Sequence, residues 1–401
     1  MTLRLGPGAM VAAAFIGPGT LTTAATTGAS SGLALAWTIL FALIATVTLQ
    51  ELAVRSALAT QQDLAALARE CGGAIWGRWL VAPLIVAAIG IGNAAYQSGN
   101  LSGAAVGLIA FMPDRFAFAV LSLSALAVIL ILGNRYRWLE RVLVALVVLM
   151  AVLFFGLAVI LAPEILSLST DRLAPRFSSG DSLLVLALIG TTIVPYNLFL
   201  HATAALRRWQ DAPLSEALQE ARWESFVTIS MGAIITLAIM AVAAVLLESP
   251  SNQSVLNALI DRVDDRLPGF GGPLIATGLF AAGFSSALAA PVAASWAVCG
   301  ALGLSTDERS TAFKTVALVV LAVGTSLALV ASRPQALIVT AQAANAMLLP
   351  VLAGILLLIA NSSLIPHPWR NGKLANALAA TIILLVTAIA GTKLVAVLSE
   401  N

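Results

Sequence analysis

The sequence predicts an all-α integral membrane protein of eleven transmembrane helices. They form two inverted five-helix repeats and one extra helix, with the first and sixth helices unwound at mid-membrane. Three observations predict it. Of the 401 residues, 60% are hydrophobic and only 10% charged, where a soluble domain carries about a quarter; the mean hydropathy is +0.98. Apolar runs of roughly twenty residues recur from end to end, the length a bilayer core requires. Two of these runs, five apart, are each interrupted by proline beside polar residues: "FIGPGTLTT" from Phe15 and "GTTIVPYNLFLH" from Gly190.

The spans cover about residues 8–30, 33–55, 77–110, 116–133, 139–162, 182–206, 225–247, 272–303, 311–331, 335–360 and 375–397. They make one membrane domain, residues 1–401, with repeat one at about 6–163, repeat two at about 181–361 and the extra helix last. The third and eighth runs are long enough to tilt or to extend into a loop. No ten-residue alternation supports strands, and backbone groups in lipid must be satisfied within helices. The stretch "ESPSNQSVLNALIDRVDDRLPGFGG" is the longest outer connection and is expected to hold a short surface helix. Its Asn252-Gln253-Ser254 matches a glycosylation triplet by pattern only.

Orientation follows from Lys and Arg. With the N-terminus inside, inner segments carry fourteen of them, including Arg4, Arg55, Arg135, Arg207 and Arg222; outer segments carry six, including Arg172, Arg266 and Arg333. That bias predicts a cytoplasmic N-terminus and an outer C-terminus, and the short loops fit a bacterial inner-membrane protein. The first apolar run flows into the Gly-Pro break without a basic leader, so no cleavable signal is expected. Cys71 and Cys299 have no metal-knuckle spacing and read as small apolar fillers. Basic residues scattered in short loops give no support to nucleic-acid binding. The expected partners are a small inorganic ion and the bilayer, with no protein partner evident.

Gly/Pro-interrupted spans in corresponding places of two halves are the best sequence pointer to a transporter site. Five spans per half, an odd number, turn the second half over. The breaks have polar neighbours: Thr20, Thr22 and Thr23 in the first span, and Thr191, Thr192, Tyr196 and Asn197 in the sixth. Polar groups at membrane depth face protein or water rather than lipid.

"GPGAMVAAAFIGPGT", "LQELAVRSALATQQDLA", "RYRWLERVLVALVVLMAVLFF", "IGTTIVPYNLFLHA", "GFSSALAAPVAA" and "TAQAANAMLLPVLAG" resemble the first, second, fifth, sixth, eighth and tenth spans of the Nramp metal-transporter family. The family uses the LeuT-like inverted-repeat fold shared by many amino-acid and sodium symporters, and the resemblance covers nearly the whole chain. The family's first-span motif is Asp-Pro-Gly-Asn and its sixth-span motif Met-Pro-His-Asn. This chain has Gly17-Pro18-Gly19-Thr20 and Val194-Pro195-Tyr196-Asn197, so the metal-binding carboxylate and thioether are both gone. Asn93 and Tyr96 stand where the family keeps acidic residues tied to proton movement, whereas His201 matches a family histidine.

The electrostatic consequence is direct. A dication at mid-membrane wants carboxylates, soft ligands or retained water, and no acidic residue lies in the central part of any span. Each helix that restarts after a break carries about +0.5 charge at its first turn. The expected substrate site is therefore Gly17, Gly19, Thr20, Thr23, Thr191, Thr192, Tyr196, Asn197 and Gln342, receptive to a small anion such as bicarbonate. No metal site and no cofactor are expected beyond sodium as a coupling ion. By resemblance to a sodium site on this fold, sodium would sit at Ala14, Gly17, Ser285 and Ser286; His201 could instead carry a proton. Helix-packing serines and a satisfied buried histidine are the plain alternatives. A divalent-cation transporter, a carrier of a zwitterionic organic solute and a non-transporting sensor are the competing functions. Nothing resembles an enzyme site: there are no paired carboxylates and no Cys/His nucleophile set.

Overall fold

The computed structural model describes residues 7–71, 73–133, 136–247, 255–330 and 334–399. Arg4, Arg135, the Asn252-Gln253-Ser254 triplet and Arg333 lie outside the described residues. Within them the chain is helical throughout, with no strand. The principal helices are α1 (Pro7–Phe15), α2 (Pro18–Ser31), α3 (Ala36–Thr60), α4 (Leu64–Cys71), α5 (Gly77–Ile109), α6 (Phe116–Leu132), α7 (Tyr136–Ile160) and α8 (Ser182–Thr192). There follow α9 (Pro195–Arg208), α10 (Leu214–Leu246), α11 (Val255–Arg266), α12 (Gly271–Leu302), α13 (Thr311–Val330), α14 (Pro334–Asn361) and α15 (Lys373–Ser399).

Each expected span falls on helix; among the described residues eight helices are long and apolar enough to cross a membrane by themselves. The first span is two short helices, α1 and α2, of 9 and 14 residues. In the fourth and tenth, the qualifying apolar stretches, Phe116–Leu132 and Asn345–Asn361, are shorter. The long third run is one 33-residue helix, α5. It contains two π-helical stretches, Gly77–Val81 and Val86–Ile91, on either side of Pro83. They relieve the hydrogen bond that proline cannot make. The connection between α10 and α12 carries α11, which buries Leu256, Leu259 and Val263 on one face.

Burial separates the core from the periphery. The most apolar windows of the α8–α9 crossing and of α12 are each 89% buried, against 28% in the seventh helix and 17% in the last, α15. Leu40, Ile129, Val152 and Leu384 point outward, as side chains facing lipid tails do. The most extensive helix contacts are α5 on α12, α2 on α10, α8 on α14 and α13 on α5. Small residues permit it: a Cβ on Gly283 would stand 2.6 Å from Ala104 Cα, so α12 and α5 touch backbone to backbone.

Candidate functional site

Two prolines place the site. A residue before proline is pushed into extended backbone by the ring Cδ. Gly17 accordingly sits at φ −108°, ψ −174° and Val194 at φ −77°, ψ 121°. α1 stops at Phe15 and α8 at Thr192; α2 and α9 restart at Pro18 and Pro195, where the missing N–H costs nothing. Leu21 is the first N–H of α2 to reach an intrahelical carbonyl, Gly17 O at 3.2 Å. The two breaks meet: Thr20 Oγ1 and Thr191 Oγ1 are 2.6 Å apart, and Thr20 donates to Phe15 O. Tyr196 Oη donates to Ala14 O at 3.0 Å.

These contacts correct part of the expected donor set. Thr20 spends its one proton on Phe15 O, so Thr191 must donate to Thr20. Thr192 bonds Leu188 O of its own helix at 3.1 Å, and Tyr196 is committed to Ala14 O. Thr20, Thr191 and Tyr196 therefore spend their protons on contacts at or between the breaks, and Thr192 spends its own within α8. Thr23 and Asn197 stand differently. Thr23 Oγ1 and both ends of the Asn197 amide are buried without a hydrogen-bond partner, as are Thr22 Oγ1 and Asn345 Nδ2. Tyr96, Tyr196 and Gln342 sit side by side, with Tyr rings 5.8 Å apart. Tyr96 Oη and Gln342 Oε1 make no hydrogen bond of ordinary geometry. Unpaired buried polar groups cost about 1–3 kcal/mol each; of these, Tyr96 Oη and Gln342 flank Gly17 and Gly19 at the first break, where a polar guest would satisfy them. Gly17 and Gly19 serve by volume: a Cβ on Gly17 would lie 2.6 Å from Ser286 Oγ, and one on Gly19 would overlap the Gln342 amide.

Beside this cluster is a second, made of oxygen alone. Ser285 Oγ lies 3.2 Å from Ala13 O; Ser286 Oγ lies 3.2 Å from both Ala13 O and Ala14 O. These spacings exceed the usual ~2.7–2.8 Å of an O–H···O bond. Oxygens ligating a calcium-sized cation at ~2.4 Å stand about 3.3 Å apart around an octahedron. Ser285, Ser286 and Ala14 thus come together as expected, with Ala13 added. The Gly17 carbonyl accepts from Leu21 N–H as the Ala14 carbonyl accepts from Tyr196 Oη, and each keeps a second lone pair.

His201 lies deeper along α9. Its Nδ1 is 3.0 Å from Gln50 Oε1 and its Nε2 is 3.4 Å from Ser225 Oγ, whose own proton goes to Ala221 O. Gln50 and Ser225 thus hold the ring from both sides and fix its orientation. Gln50 and Ser225 were not singled out by sequence; a lone glutamine inside the apolar run of α3 was the available signal.

Asn93 and Gln97 of α5 are clamps. Pro291 in mid-α12 has no N–H, which strips Ala287 O of its helical partner. Gln97 Nε2 donates to that carbonyl at 2.9 Å, and Asn93 Nδ2 donates to Ala290 O at 3.1 Å. We expect Gln97→Leu to lower stability by about 1–3 kcal/mol by orphaning Ala287 O. It should be read as a lower melting temperature in detergent, with ion affinity unchanged. Among the described residues no three His, Cys, Asp or Glu side chains group together.

The model of the natural resistance-associated macrophage protein-like (Nramp) family matches residues 8–396. The chain is 27% identical over 338 residues to "Divalent metal cation transporter MntH" of Ralstonia nicotianae, covering 80% of this chain and 75% of that one. It is 28% identical over 255 residues to "Divalent metal cation transporter MntH 1" of Pseudomonas aeruginosa, covering 61% of this chain and 56% of the relative. In structure it is similar to a mutant of the Eremococcus coleocola manganese transporter, with a TM-score of 0.78 at 19% identity, covering 97% of this chain and 87% of the other. It is also similar to a nucleobase-cation-symport-1 family transporter, with a TM-score of 0.62 at 12% identity over 98% of this chain and 90% of the other. Two broken helices meeting at a buried polar cluster, and a family match running almost from end to end, lead to one conclusion: this chain belongs to the Nramp family.

Proposed function

We propose that the chain is a secondary membrane transporter that carries a small inorganic ion through the site between its two broken helices. Two inverted repeats, at about 6–163 and 181–361, would work against each other, with the N-terminus on the cytoplasmic side of a bacterial inner membrane. The observation that carries this reading is the meeting of the two breaks around neutral polar groups that are buried and unpaired.

The chemistry of those groups favours a small singly charged oxyanion such as bicarbonate. The position that would hold a carboxylate is Gly17, packed shut by Ser286. The first turns of α2 and α9 supply positive partial charge, and Thr23 and Asn197 supply donors. Moving an anion against an inside-negative potential costs about 2.3 kcal/mol per 100 mV. Sodium held by Ala13, Ala14, Ser285 and Ser286 would offset it. Asn93 and Tyr96 offer no carboxylate for a proton route through α5, which supports sodium coupling; His201 is the remaining proton candidate.

A second reading, a divalent metal cation, is favoured by the names of the relatives. Without a carboxylate, such an ion would keep most of its water, donating from that water to Asn197 Oδ1, Gln342 Oε1 and the carbonyls of the breaks.

Proteoliposome flux separates the two. Bicarbonate entry is read by internal pH with and without an inward sodium gradient, and manganese and magnesium entry by internal fluorophores. The first reading predicts sodium-stimulated bicarbonate uptake, with stimulation reduced at least tenfold in Ser286→Ala. Metal entry without bicarbonate flux would replace it with the second, and no flux of any of these ions would count against both.

A further inference from the structure

At the end of the bundle that carries Arg55, Arg207 and Arg222, side chains from several elements converge on α4. Asp63, the residue before α4, accepts a hydrogen bond from Thr203 Oγ1 of α9 at 3.0 Å. It accepts another from Thr306 Oγ1, in the connection between α12 and α13, at 3.0 Å. Arg207, one turn further along α9, pairs with Glu308 of the same connection and donates to Thr306 O at 3.0 Å. Its guanidinium lies 4.9 Å from the Trp296 ring of α12. The short helix buries Leu64, Ala65, Leu67 and Ala68. A Cβ on Gly300 would stand 2.9 Å from the Ala65 methyl, and Arg69 covers Gly303.

α4 is therefore a cap seated across the ends of α9 and α12. It lies on the continuation of the helix that begins the site: from Asn197 to Thr203 is about 9 Å along the axis at ~1.5 Å per residue. Half-exposed ion pairs are individually weak, and the Arg207 and Glu308 side chains are 33% and 22% exposed. This closure can open where the backbone-to-backbone packing of α5 on α12 cannot.

We propose that Asp63, Thr203, Thr306, Arg207 and Glu308 form a latch. It holds α4 and the α12–α13 connection over the end of α9, closing the route from the site to that face of the membrane. Opening requires Asp63 to release both hydroxyls and Glu308 to release Arg207.

A native reporter exists. Cys299 is fully buried, on the same stripe of α12 as Trp296 and Gly303. With Cys71→Ala as background, the protein in lipid nanodiscs is exposed to a hydrophilic maleimide and alkylation of Cys299 is timed. Asp63→Ala and Glu308→Ala are each expected to speed labelling at least tenfold without lowering the melting temperature. Arg207→Glu should do the same, and adding Glu308→Arg should return the slow rate. Rates within twofold of the background in both alanine variants would overturn the latch. So would faster labelling that appears only together with a lower melting temperature. The readout needs no transported ion, so its failure is distinct from a failure of the transport reading.

Discussion

Gly17→Asp is expected to abolish ion uptake and lower the melting temperature, whereas Gly17→Asp with Ser286→Ala is expected to melt like the parent and bind manganese. The single variant crowds Ser286: its Cβ would lie 2.6 Å from Ser286 Oγ, which must turn away from Ala13 O and Ala14 O, with Ser286 Cβ at 3.3 Å and Tyr96 Oη at 3.6 Å. Removing the Ser286 hydroxyl frees that volume. A carboxylate then stands at the break beside Tyr96, and charge decides the guest. At an effective dielectric constant of ~20, a dication about 4 Å from a carboxylate gains about 8 kcal/mol of attraction. After desolvation, manganese affinity should still rise at least a hundredfold by calorimetry, while bicarbonate uptake disappears. A double variant that melts normally and binds manganese no better than the parent would refute the claim that the missing carboxylate sets the choice of ion.

A large loss of stability is expected from Gly283→Ala. The added methyl would meet the Ala104 backbone, with Cα at 2.6 Å, and no rotamer change can relieve a backbone contact. α5 and α12 must separate, at a cost at or above the upper end of the 1–3 kcal/mol typical of overpacking. Because Ser285 and Ser286 lie two and three residues further along α12, the oxygen cluster with Ala13 and Ala14 would spread as well. Sodium stimulation should fall with the melting temperature. Gly354→Ala, where nothing lies within 4 Å of the new carbon, is the control; it should be neutral or slightly stabilising. Equal melting temperatures for the two variants would show that the α5–α12 contact is not tight in the membrane.

Several features could be read along the chain because their causes are local. Hydropathy acts over twenty residues, and proline acts on its own turn and the residue before it. Pro18 and Pro195 therefore announced both breaks, and the absence of carboxylates at mid-span announced a neutral site. Yet proline alone did not say which helices break. Pro291 lies inside an unbroken α12, because Gln97 from another helix satisfies the carbonyl it frees. Gln342 lies against Gly19 at the break, and Thr23 and Asn197 are buried with unpaired polar atoms. Thr20 and Thr192 have their protons committed to carbonyls of their own spans, whereas Thr191 and Tyr196 have theirs committed across to the first span, which nothing in the sixth indicates.

From the sequence alone come the membrane class, the two interruptions, the neutral lining and the family resemblance, since each depends on composition or on neighbours a few residues away. The tertiary structure alone decided which hydroxyls are spent on helix contacts, what fills the space beside Gly17, and that Asp63 joins α4 to Thr203 and Thr306. The reason is distance along the chain: Thr20 meets Thr191 across 171 residues and Asp63 meets Thr306 across 243. A hydrogen bond has a partner only once packing has brought both ends together.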